Sequence, residues 1–460
     1  MFFESFALNL SVIVILIVAL TFDYVTKFFS YWYIRHIPNK TPIPFFGTDY
    51  YRILGLRSNT GQVNALYSQY PEDKFVGNIK SRIPDLIVKD PDALKTILST
   101  DFANFHCRGL ALDKSQDVCL RNNLFYAEGE KWTLLREGLE SILNNLKCDF
   151  EDSLHDCLSG TNGDTNVQQL LSKVLDGIFN DLLLDETSDG TVIRAMRSEV
   201  QKRTFVNKVK TYLKHIFPSL YVVFGLVTMA NEPSSETKRE LEKSKLLKKI
   251  KELSAFQLGL KEKNKKSSDV DFAFAVLASF VTEGYIPTLN LLTAVFHDVA
   301  KHPQIQKKIR DSNQEYLDAV IKESLRLHPP YSVINRQCVK LYTYPDSDLV
   351  LDKKVTVNVP VEAIHRDEKY YKDAQSFVPE RFLASSTPHS FAYLPFGVGP
   401  RKCIGEQLSM KIVQTVTKAV LKNFELEPCE RTPTELTLVD HNFGRVVDRD
   451  IWLRFKPLKA

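Results

Sequence analysis

The stretch Phe396-Gly397-Val398-Gly399-Pro400-Arg401-Lys402-Cys403-Ile404-Gly405 constrains this chain more than any other. Gly397, Gly399 and Pro400 define a tight, non-repetitive turn that neither a helix nor a strand would tolerate. Cys403 follows that turn and stands at the predicted start of a closing helix, about Ile404 to Asn423. Unpaired N–H groups and the helix dipole there favour thiolate over thiol. Gly405 leaves room for a flat ligand to lie against the backbone. A cysteine so placed suits a soft metal ion; standing alone it would equally be a buried structural thiol.

Phe6 to Phe22 (FALNLSVIVILIVALTF) is uncharged and dominated by Val, Ile and Leu. As a helix it rises roughly 25 Å, short of a bilayer core unless flanking aromatics extend it. A cleaved signal peptide and a buried helix are the alternatives. A signal peptide begins with basic residues and ends in a small-residue cleavage site. Here Glu4 precedes the run, and Lys27, Arg35 and Lys40 follow it. Residues 1–36 are therefore expected to form an uncleaved anchor, with the trailing cations placing the body on the cytosolic side. The prolines of Ile37 to Pro44 exclude a helix, so residues 37–47 read as a stiff hinge.

Length alone suggests about three domains, but no Gly/Ser linker or tandem repeat divides the chain, and residues 48–460 read as one. Hydrophobic residues make up 44% and charged residues 25%, ample for a large core and far from disorder. A net charge of +4, with no basic array interleaved with aromatics, excludes nucleic acid as the expected ligand. Seven scattered cysteines without a CxxC pair are neither a disulfide framework nor a zinc cluster. The first half mixes β-rich pieces such as Asp85 to Val88 with helical stretches, and residues 166–325 read as mostly helical. Lys238 to Ser268 is Lys-rich, a solvated helix and loop before it is a contact surface. Strand-like runs return at Lys354 to Val359. The expected class is mainly α with small β-sheets (α+β).

The cysteine segment resembles the haem-binding loop of the cytochrome P-450 family, Phe-x-x-Gly-x-Arg-x-Cys-x-Gly, at Phe396, Gly399, Arg401, Cys403 and Gly405. The resemblance implies haem b with Cys403 as proximal iron ligand and Arg401 on a propionate. Glu323-Ser324-Leu325-Arg326 and Pro379-Glu380-Arg381-Phe382 are commonplace singly. In this order before the loop they are similar to the family's Glu-x-x-Arg helix and Pro-Glu-Arg-Phe segment. They imply a buried network of Glu323, Arg326 and Arg381 that holds the haem loop. Trp132 with Arg136, and Arg336 beyond His328-Pro329-Pro330, resemble further propionate contacts. The family implies a monooxygenase of microsomal type in the endoplasmic reticulum membrane, served by an NADPH-dependent flavoprotein reductase.

The distal helix departs from the family pattern. Counting back from Ala300-Lys301-His302-Pro303, the equivalent stretch is Glu283-Gly284-Tyr285-Ile286-Pro287-Thr288. Gly284 matches, Ile286 replaces the usual acid, and Pro287 replaces the alcohol that organises proton delivery. Either the register slips by one residue, or proline breaks the helix over the haem. Proton delivery is then expected from Thr288, Glu283, water or the substrate. Substrate is expected among Phe272 to Thr288, the loop before Trp132, Tyr331 to Ile334 and the turn at His441-Asn442-Phe443. Such helices are similar to those of microbial members, fungal ones here, that make specialised metabolites or wall precursors from tyrosine-derived or cyclic-dipeptide compounds. A peroxide-rearranging or catalytically silent haem-thiolate protein is the alternative.

Overall fold

The structure, a computed structural model, describes residues 6–43, 47–80, 83–109, 117–146, 154, 157–184, 190–201, 209, 235–252, 268–311, 314–345, 347–383, 390–441 and 444–458. Pro44, Cys148, Asn442, Phe443 and the Lys-rich segment from 253 to 267 lie outside the described residues, as does the side chain of Lys27.

Helices dominate, and the sheets are small. The apolar run opens a helix, Phe6–Tyr33, of 28 residues. That length rises about 42 Å, more than a bilayer core, and most of its surface is exposed. Its last turn is built into the body. Trp32 is fully buried and donates from Nε1 to the Asn78 carbonyl at 2.8 Å. A Cβ on Gly77 would come within 2.5 Å of the Trp32 indole, so the strand must carry glycine where the ring lies on it. Arg35 pairs with Asp352 at 2.8 Å, and the Tyr31 hydroxyl donates to the same carboxylate at 2.9 Å. The described part of the proline segment follows the edge of strand Phe75–Lys80, with Gly77 N–H donating to the Pro38 carbonyl at 2.8 Å.

That strand heads a four-stranded sheet in the order Phe75–Lys80, Ile83–Val88, Thr356–Val359 and Ile334–Gln337. Only the middle pair is parallel. The sheet carries Arg336 on its last strand. A three-stranded sheet joins Gly163–Asn166, Trp452–Pro457 and Phe424–Pro428.

The main core surrounds one long helical segment, 269–300, which is apolar enough to cross a membrane but is largely buried within the protein. Ser268 caps it through a reciprocal pair of bonds with Asp271. Gln314–Leu327 and the closing helix Glu406–Asn423 pack beside it.

Candidate active site

The cysteine segment folds as the glycines require. Gly397 and Gly399 both have positive φ, 68° and 71°. A Cβ on Gly399 would lie 2.0 Å from the Leu98 carbonyl oxygen, so no other residue fits there without moving that backbone. The Lys402 N–H closes the turn on the Gly399 carbonyl, and the Cys403 N–H donates to the Phe396 carbonyl, both at 2.9 Å. The closing helix begins at Glu406 with Gly405 as its cap, two residues later than its predicted start. Cys403 therefore stands three residues before the first helical residue instead of immediately before it. Cys403 has exposed surface at the cavity wall; desolvation by its surroundings raises its thiol pKa, and a hydrogen bond from the Gly405 N–H lowers it.

Cys403 opens into a cavity of about 230 Å³ lined by mostly apolar side chains, among them Phe396, Leu124, Phe125 and Val333. Gly405, Trp132, Arg136, Arg336 and Arg401 line the same cavity. Arg336 is 1% exposed and, among the described residues, donates only to the Asn335 carbonyl, at 2.9 Å. Arg401 donates to the carbonyls of Ala127 at 2.5 Å and Phe125 at 3.4 Å, and sits 4.9 Å over the Trp132 ring. Arg136 donates to the Lys402 carbonyl at 2.9 Å and pairs with Glu140 at 2.7 Å.

A further cation, Arg108, lies 3.6 Å over the Phe125 ring. It belongs to no motif and is distant in sequence from every other site residue, so only the fold reveals it. Burial lowers the pKa of Arg108 and Arg336 and pushes Arg401 down to about 10, and the arginines worsen one another's position. The Nε of each of these three lacks a partner, and among the described residues none forms a salt bridge to a carboxylate. Buried cations without anions signal a missing anionic ligand. A thiol on one wall, apolar sides and a rim of unpaired guanidinium groups fit a flat, dianionic metal macrocycle.

The network behind the loop is continuous. Arg326 grips Glu323 through Nε at 2.8 Å and Nη2 at 2.9 Å, and Arg381 adds a bond at 3.0 Å. Arg326 Nη1 also donates to the carbonyls of His365 and Ala374, each at 2.6 Å. His365, which no sequence motif marks, carries the constraint onward. Its Nδ1 lies 3.2 Å from the Arg326 carbonyl, and its Nε2 accepts the Leu394 N–H at 2.8 Å. Leu394 in turn accepts the Gly397 N–H. Burial holds the His365 pKa near about 3, so the ring is neutral and can accept at Nε2.

The distal helix is not broken. Its regular first segment, Asp269–Ser279, passes into a π-turn, Phe280–Tyr285, and resumes as Ile286–Ala300. The Ile286 N–H reaches back five residues to the Val281 carbonyl, and Pro287 stands at the start of the resumed helix. The wider turn places the residue that cannot donate where the regular pattern has already lapsed. Thr288 is buried with its hydroxyl 3.1 Å from that of Ser409. Glu283 faces the cavity and accepts from Asn123 Nδ2 at 2.8 Å. Burial raises its pKa to about 7, against the Asn123 bond and Arg108. Of the expected substrate contacts, Phe280, Tyr331, Val333 and Ile334 line the cavity, whereas Phe272 is wholly in the core and Ser332 turns away to bond Thr60.

The fold and this site define a haem-thiolate oxidoreductase. A family model described as Cytochrome P450 matches residues 225–449. Cytochrome P450 6B2 of Helicoverpa armigera is 26% identical over 94% of the chain and 95% of its own length. Cytochrome P450 6l1 of Blattella germanica is 27% identical over 94% of each. Lithocholate 6-beta-hydroxylase of Mesocricetus auratus is 27% identical over 93% of each. The chain belongs to the cytochrome P450 family. It has that family's mainly α fold with small sheets, and it is a monooxygenase that uses haem with a cysteine thiolate as axial ligand. Small-molecule substrates and a redox partner come with the family.

Proposed function

We propose that the protein oxidises a small organic substrate at a haem held by Cys403, anchored by residues 1–36 in the endoplasmic reticulum membrane with its body in the cytosol. Residues 37–47 form the hinge, 48–460 the catalytic domain, and an NADPH-dependent flavoprotein reductase supplies electrons. One observation carries the reading: Cys403 and the unpaired Arg108, Arg336 and Arg401 converge on one apolar cavity. Cys403 would take the iron. Arg108, Arg336 and Arg401, with Trp132 and Arg136, would take the propionates, and Phe396 and Gly405 would lie along the ring. When bound, haem supplies the redox-active iron, and a thiolate ligand favours O–O cleavage.

The chain's own residues manage the protons. Thr288 lines the cavity with its hydroxyl engaged by Ser409, and Pro287 has no hydroxyl; among the described lining residues Glu283 is the acid. A carboxyl that titrates near neutrality both gives and takes a proton at working pH. We place the substrate in specialised metabolism, of the tyrosine-derived or cyclic-dipeptide class that forms pigments and wall precursors. The loss of the usual distal acid and alcohol at Ile286 and Pro287 supports a substrate that brings polar groups of its own.

That same loss favours a second reading, in which the protein rearranges peroxides or binds haem silently. Reconstitution with reductase separates the two. Substrate oxidation that needs NADPH and reductase supports the monooxygenase; peroxide conversion without them supports the second. Comparing metabolites of cells with and without the protein identifies the substrate.

A further inference from the structure

Asn123 ties the loop before the Trp132 helix to the distal helix, and its amide orientation is fixed from both ends. Its Oδ1 accepts the Phe125 N–H at 2.8 Å, so Nδ2 must face the distal helix. There it donates to Ser279 Oγ at 3.1 Å and Glu283 Oε1 at 2.8 Å. The Ser279 hydroxyl donates to the Ala275 carbonyl at 3.1 Å and therefore receives from Asn123 without competing for its proton. An amide nitrogen has two protons, and here both are used. Asn123 is fully buried, and among the described residues it is the one direct hydrogen-bond donor to Glu283.

We infer that Asn123 is a positioning residue, which holds one oxygen of the Glu283 carboxylate and so aims the group into the cavity. The inference rests on the reading of Glu283 as the proton-handling acid. A donor bound to a carboxylate stabilises the anion, whereas burial in an apolar wall stabilises the neutral acid. Glu283 is subject to both. The other ionisable groups facing it are Arg108, which also favours the anion, and Tyr331 and Cys403, whose own ionisation it opposes. Arg108 acts by charge at a distance, while Asn123 holds one oxygen of the carboxylate and so sets its direction as well.

The test is an infrared pH titration of the haem-loaded full chain, with the Glu283 carboxyl band assigned by its loss in Glu283→Gln. Asn123→Leu should raise the midpoint of that band by ~1–2 pH units, the size of one hydrogen bond to a charged group. If Asn123→Leu loads haem poorly, the isosteric Asn123→Asp carries the test. It should raise the midpoint further, because a second carboxylate would then face the first. An unchanged or lowered midpoint in the variant that loads haem overturns the inference, as does the absence of any titrating band that Glu283→Gln removes. NADPH and reductase without added substrate supply a separate readout, peroxide release. Peroxide release by Glu283→Gln equal to wild type would overturn the role of Glu283 in proton handling, while leaving the Asn123 shift standing.

Discussion

Replacing Glu323 by alanine removes the centre of the network that holds the cysteine loop. The side chain accepts two bonds from Arg326, one from Arg381 and one from the Val378 N–H. Arg326 is 0% exposed and would keep its charge without a counter-ion. Truncating one partner of a buried pair costs on the order of 3–5 kcal/mol. Whole proteins are stable by only about 5–15 kcal/mol. Arg326 also fixes His365, and through it Leu394 and the Gly397 turn, so the loss reaches the Cys403 loop and not only global stability. Glu323→Ala should therefore yield little haem-loaded protein, and what forms should unfold at lower denaturant. Glu323→Gln keeps the shape but not the charge and should fall between. The assay is haem content per polypeptide, with denaturant unfolding followed by fluorescence. If Glu323→Ala folds with normal haem content and loses only turnover, the network acts in chemistry and the reasoning fails.

Gly399→Ala should abolish haem loading, since its Cβ would lie 2.0 Å from the Leu98 oxygen, and a haem-replete variant would show that this backbone gives way. Deleting residues 1–28 should release much of the protein from membranes with its CO spectrum intact. Deleting residues 1–36 also removes Trp32 and should cost about 3–5 kcal/mol more in unfolding experiments. Equal stability of the two truncations would show that the ring contributes nothing to the body. Pro287→Thr should not improve the coupling of electron use to product, and a rise in both rate and coupling would mean that proline is only tolerated there. Glu283, whose acid form is favoured in the folded state, binds its proton more tightly there than in the unfolded chain. Stability should thus fall as pH rises from the ordinary glutamate range through about 7. Glu283→Gln should flatten that fall, although Asp85, raised to about 7 as well, leaves part of it in place. An identical pH–stability curve would show that Glu283 is solvated.

The cysteine turn and the strand pair around Asp85 and Val357 were legible in the sequence because glycine, proline and β-branched residues act locally. The Glu323–Arg326 pairing was legible for the same reason, being one helical turn apart. What stayed hidden depends on the approach of distant segments. Arg108 has no neighbour in sequence that marks it, and its role appears only when the fold sets it beside Arg336 and Arg401. His365 and Asn123 are ordinary polar residues until their partners, dozens to more than a hundred positions away, are known. Proline at 287 promised a break, yet the distal helix takes up the missing donor in a π-turn, whose hydrogen-bond pattern residue types alone do not disclose. The N-terminal helix was visible as an apolar run, but its docking on Gly77 was not, because the complementarity lies between Trp32 and a strand met later in the chain.

Thiolate ligation of the iron by Cys403 is read in the absorption spectrum of the reduced, CO-treated protein, in the wild type and in Cys403→His and Cys403→Ala. The wild type should show the long-wavelength Soret band of thiolate ligation. Cys403→His should retain haem without that band, because a neutral imidazole donates less charge to the metal, and Cys403→Ala should lack the band as well. A normal long-wavelength band in Cys403→Ala would place the ligand elsewhere and contradict the account.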